Sequence, residues 1–102
     1  MKRLLAAVAV AIAGLAIASS DVRADGNACV RVETQAIFAG AGYNHVVRLI
    51  NACDRAQRCT VSTDVAPDPI EASVAARSTV ELVTFRGSPA RVFVAKVTCR
   101  AE

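Results

Sequence analysis

Four cysteines, one histidine and two small charge clusters are the residues of this chain whose types and spacing bear on chemistry. Cys29, Cys53, Cys59 and Cys99 are even in number and widely spread. In a short exported chain such a set reads as two disulfides. A structural zinc site calls for ligand pairs two to four residues apart, whereas five residues (Asp54 to Arg58) separate the closest pair here. His45 is the only histidine. A hydrolase would pair it with Ser62, Ser73, Ser78, Ser88 or a free thiol. No serine sits in a nucleophile-elbow context, and the thiols are expected to be oxidised. Blue copper needs two histidines and a cysteine, commonly with an axial methionine; the only methionine is Met1. His45 is therefore expected to end a strand beside a glycine loop, with no catalytic role. Asp64, Asp68 and Glu71 surround Pro67-Asp-Pro69, too few oxygens for the six to eight that calcium takes. Arg55 and Arg58 sit between two cysteines and are candidates to grip a carboxylate or phosphate group. No metal or cofactor is expected, and the chain is not expected to be an enzyme.

Compartment follows from the first residues. Lys2 and Arg3 precede an apolar stretch from Leu4 to Ala18, and a polar tail ends with small residues at Val22 and Ala24. This is the pattern of a secretory signal peptide. Cleavage is expected after Ala24; Ala16-Ile17-Ala18 offers an earlier site with no polar tail. The apolar run is shorter than the roughly 18–20 residues a spanning helix needs, so no stable membrane anchor is expected once the leader is removed. Residues 1–24 are thus read as a leader and 25–102 as one domain, secreted or periplasmic. Loss of Lys2, Arg3, Arg23 and Asp21 leaves 9 basic and 8 acidic residues. No general attraction to nucleic acid follows from that balance.

The elements that position these residues read as strands. Ala28 to Phe38 begins with apolar–polar alternation, and Ala39-Gly-Ala-Gly42 breaks it. His45 to Asn51, Cys59 to Val65, Ile70 to Ala76, Thr79 to Phe85 and Ala90 to Arg100 follow, with Pro67 and Pro69 ending one run and Arg86-Gly-Ser-Pro89 carrying turn chemistry. Six short strands and no helical period argue a small antiparallel all-β sandwich.

Two hairpins are expected. In the first, Cys53 faces Cys59, which sets Asn51 opposite Val61, Leu49 opposite Thr63, Val47 opposite Val65, and Arg48 opposite Asp64, an opposite-charge pair. Of three pairings, this register favours Cys53–Cys59 with Cys29–Cys99. Loop entropy then assigns about 2 kcal/mol to the short bridge and about 4 kcal/mol to the long one. In the second hairpin Leu82 faces Phe93 and Val80 faces Ala95, making a core face with Val97. The opposite face carries Val83, Phe85, Val92 and Val94. Either the first strand or its Ala36–Gly42 extension folds over it, or it is an exposed docking patch.

The run Val74-Ala-Ala-Arg-Ser-Thr-Val-Glu-Leu82, following Cys59-x-Val61-x-Thr63-x-Val65-x-Pro67, resembles an edge and the strand before it in bacterial immunoglobulin-like sandwiches. The resemblance covers about a third of the chain and implies a fold, not functional residues. Arg77 stands where the family pattern carries glycine, and the typical core tryptophan is absent. The expected function is a small disulfide-stabilised binding or structural module of the cell envelope or medium. Its partner would be another protein or a second copy, met through Val83, Phe85, Val92 and Val94 or through Arg55 and Arg58. The competing expectation is a protease inhibitor presenting Asp54–Arg58, or a very small hydrolase.

Overall fold

The computed structural model describes residues 21–24 and 27–102. The apolar stretch read as a leader, and Asp25, where the mature chain is expected to begin, lie outside the described residues. Seven strands run in the order β1 (Asp21–Arg23), β2 (Val30–Phe38), β3 (Tyr43–Asn51), β4 (Gln57–Thr63), β5 (Ile70–Val74), β6 (Thr79–Ser88) and β7 (Ala95–Ala101). They form two antiparallel sheets, β1-β2-β3-β6 and β5-β4-β7.

The inner faces follow the two-residue period. In β4, Gln57, Cys59, Val61 and Thr63 are buried and the residues between them half-exposed. In β3, Val47 and Leu49 point inward while Arg48 points outward, between Glu33 and Glu81 of the flanking strands. Arg48 bonds Glu81 at 2.6 Å and reaches Glu33 at 3.5 Å, so one guanidinium ties three strands together. Val30, Val32, Val47 and Leu49 from one sheet meet Val61, Val74 and Val97 from the other, with Phe93 beside them. Each such burial stabilises by about 1.5–3 kcal/mol, which is what holds the sheets face to face.

Neither expected hairpin forms. β3 pairs with β2 and β6, while β4 pairs with β5 and β7. The chain therefore crosses from one sheet to the other between Asn51 and Gln57, and again between Ser88 and Ala95. An inward-facing apolar row packs equally well against a neighbour in its own sheet or against the facing sheet, so alternation alone cannot separate a hairpin from a crossing. Val80, Leu82, Phe93, Ala95 and Val97 do line the core, but Val80 and Leu82 face it from one sheet, Ala95 and Val97 from the other, and Phe93 from the crossing before β7. Passage of consecutive strands between two sheets is consistent with an immunoglobulin-like sandwich.

The disulfides are corrected accordingly. Cys29 bonds Cys53 and Cys59 bonds Cys99. Cys59 and Cys99 are direct partners across β4 and β7. Cys29 and Cys53 sit just beyond the last β2–β3 pair, Val30 with Asn51, where the Ala52 amide donates to the Cys29 carbonyl at 3.0 Å. Each bridge thus staples neighbours within one sheet. Cys53 and Cys59 are kept apart because the five residues between them span the gap between sheets.

Two asparagines build that crossing. Asn51 is 2% exposed; its amide nitrogen donates to the carbonyls of Arg55, Val74 and Ala75, and its oxygen accepts from the Cys53 amide. The Asn27 oxygen accepts from the amides of Cys29 and Val30, while its nitrogen donates to Gln57 and to the Cys99 carbonyl. One side chain thereby joins the start of β2 to both β4 and β7. Arg77 takes φ 59°, a left-handed conformation that favours glycine, and pairs with Asp54 at 2.7 Å.

Candidate functional site

The end of the sandwich remote from the disulfides carries the exposed apolar residues. Two glycines let its strands come together. A Cβ on Gly42 would lie 2.7 Å from the backbone carbon of Gly87, so any side chain there would push β3 and β6 apart. Gly87 itself has φ 71°, and its amide donates to Asn44 Oδ1. β6 consequently runs on to Ser88, which pairs with Tyr43, where turn chemistry implied an earlier stop.

From Ser88 the chain crosses to the other sheet. Buried Ser88 accepts the Ala90 amide on its Oγ at 3.0 Å. The Ala90 carbonyl lies 2.8 Å from His45 Nε2, so the imidazole carries its proton on Nε2 and donates it there. His45 is wholly buried, and its ring stacks on Phe93 at 4.1 Å and 10°, with Phe85 tilted against it at 6.2 Å. Nδ1 is buried with no hydrogen-bond partner. The far end of the crossing is held by a reciprocal pair. The Val94 amide donates to Asp64 Oδ1 at 2.9 Å, and the Asp64 amide donates to the Val94 carbonyl at 3.1 Å.

This clamping has a consequence at the surface. Phe93 is buried inward, and its neighbours Val92 and Val94 are 81% and 66% exposed. Two apolar side chains are thus presented on backbone pinned at both ends, by His45 and Asp64. Phe38 and Ile37, exposed at the end of β2, lie at the same end of the sandwich, Phe38 edge-on to Tyr43 at 5.3 Å.

The four residues expected on one hairpin face are distributed differently. Val83 faces outward on β6 opposite Val46, and an irregularity in the β3–β6 register brings Phe85 opposite His45. Val92 and Val94 belong to the crossing. The Ala36–Gly42 segment does not fold over them: through Phe38 it is β2, paired with β3. All four remain exposed.

The other candidates are engaged within the chain. Arg55 donates to the Glu102 carbonyl at 2.8 Å, and Arg58 approaches Glu71 at 3.5 Å and Glu102 at 3.8 Å. Asp64 holds Val94, and Glu71 accepts from Thr60, so the acidic residues around Pro67 do not converge. Among the described residues no group of three or more His, Cys, Asp or Glu side chains is placed to hold a metal ion. The feature that sequence reasoning missed is the His45–Phe93 stack. Its signal, apolar residues alternating through Val92, Phe93 and Val94, is identical to that of a strand. Comparison with protein-family models, curated proteins and solved structures found no match to this chain.

Proposed function

We propose that this domain is a binding or structural module of the periplasm or the extracellular medium, which contacts another protein through Val92 and Val94. Two disulfides in a small all-β domain are consistent with an oxidising compartment. The observation that carries the reading is the pair of exposed valines on a connection immobilised by His45, Phe93 and Asp64. An apolar contact already held in one conformation loses little freedom on binding, which is how a small surface reaches useful affinity. Catalysis by the lone histidine is disfavoured by its position, since a ring with no exposed surface meets no substrate in this conformation. Arg55 donates to the Glu102 carbonyl and Arg58 lies 3.5 Å from Glu71 and 3.8 Å from Glu102, which weakens the anion-gripping and inhibitor readings.

A photo-crosslinking residue in place of Val92, in protein produced by its own cell, should yield one discrete protein adduct. The same residue in place of exposed Lys96 should not. Val94→Asp should abolish the adduct while leaving the melting temperature unchanged. Equal labelling from both positions, or none from Val92, would sink the reading.

A further inference from the structure

The edge of β2 points to a second partner surface, independent of the valines. β1 lies antiparallel on that edge, with Asp21 opposite Glu33, Val22 opposite Val32 and Arg23 opposite Arg31. The edge therefore accepts an extended strand in a defined register. β1 also belongs to the segment read as a leader. A cut after Ala24 removes it, together with the Ala24 amide that donates to the Val30 carbonyl.

We propose that in the mature chain a second copy's β2 takes the place of β1, forming a two-fold antiparallel dimer centred on Val32. The proposal rests on the leader reading, with cleavage after Ala24. β2 is complementary to itself in this register. Val32 meets the partner's Val32, Arg31 meets the partner's Glu33, and Glu33 meets the partner's Arg31. Val30 meets Thr34 in the same way. Symmetry repeats each opposite-charge pair, and since Arg31 lies 3.6 Å from Glu33 within each chain, the four charges form one cluster across the seam. A closed two-fold contact of this kind consumes both edges and does not propagate into a fibre. The other edges are less suited: β5 has five residues and follows Pro67 and Pro69, β6 is irregular near Phe85, and β7 carries Lys96 and Arg100 but no acidic residue to pair with them in a second copy.

The test uses protein exported from the full-length gene. Intact mass should give a chain starting at Asp25, and sedimentation across the micromolar range should show a reversible dimer. Arg31→Glu places Glu opposite Glu twice; it also removes the 3.6 Å pair of Arg31 with Glu33 in its own chain, while the contacts of Arg48 with Glu33 and Glu81 are kept. It should weaken the dimer about tenfold or more. Glu33→Arg should do the same. Mixing the two variants should restore association as a heterodimer, because every opposed pair is then of opposite charge. If Glu33→Arg does not fold, the Arg31→Glu result alone decides. A mature chain that still contains Asp21–Arg23 overturns the leader reading and the proposal with it. A chain starting at Asp25 that stays monomeric, or a dimer indifferent to Arg31→Glu, overturns the dimer alone.

Discussion

The two ends of the sandwich are held by different means. At one end two disulfides, Asn27, Asn51 and Gln57 join β2, β3, β4 and β7 through covalent bonds and buried amides. At the other, one imidazole stack and a reciprocal Asp64–Val94 pair hold a crossing that exposes two valines. The contrast teaches how a domain this small divides its labour. A modest core cannot secure both ends, so covalent bonds secure the closed one. The open end is held by one stack and a few hydrogen bonds, and it carries the exposed apolar side chains.

Breaking the covalent end should have the largest effect. Loop entropy assigns about 3.5 kcal/mol to Cys29–Cys53 and about 4 kcal/mol to Cys59–Cys99, for separations of 24 and 40 residues. Replacing Cys59 and Cys99 with serine should cost more than that entropy alone, since Cys59 is wholly buried in the core and a hydroxyl there needs a partner. Cys29→Ser and Cys53→Ser should be equal to one another, because they break the same bond. Equilibrium unfolding in denaturant checks both statements. A Cys53→Ser midpoint well above that of Cys29→Ser would contradict the pairing.

The amide and the imidazole can be compared directly. Asn51→Ala leaves the carbonyls of Arg55, Val74 and Ala75 and the Cys53 amide without this partner, and should cost about 2–3 kcal/mol. His45→Ala removes one hydrogen bond and one stack and should cost about 2 kcal/mol. Their local signatures should differ more than their totals. By amide hydrogen exchange, His45→Ala should deprotect Ala90 and Val94 while leaving Ala52 protected, and Asn51→Ala should do the reverse. Uniform loss of protection in both variants would mean that the ends are not energetically separate.

How much of this was legible beforehand differs between the ends for a physical reason. Which residues face the core could be read, because strand period alone assigns Val61 and Val97 to inner faces. Which strands are neighbours could not, because Val47 and Val61 pack across the gap as readily as they would pair side by side. That one ambiguity produced both the Cys53–Cys59 error and the misplaced Val83–Val94 face. Asn27 and Asn51 resemble any loop asparagine until the crossing is known. The left-handed turn at Arg77 falls at the position where the resembled edge pattern carries glycine.

That turn supplies the smallest effect and the finest probe of the closed end. Arg77 holds φ 59° while its amide donates to the Cys53 carbonyl and its guanidinium pairs with Asp54. Left-handed backbone costs a non-glycine residue roughly 1–2 kcal/mol. An ion pair between groups 66% and 81% exposed returns about 0.5 kcal/mol or less. Glycine would relieve the strain, but it also adds freedom to the unfolded chain, a loss of about 0.4–1 kcal/mol. Arg77→Gly should therefore shift stability by no more than about 1 kcal/mol, towards greater stability. Arg77→Ala keeps the strain and loses the pair, so it should be the less stable of the two. The order of the two melting temperatures is the measurement. If alanine equals or exceeds glycine, backbone strain at this turn is no larger than the roughly 0.4–1 kcal/mol that glycine loses through the unfolded chain.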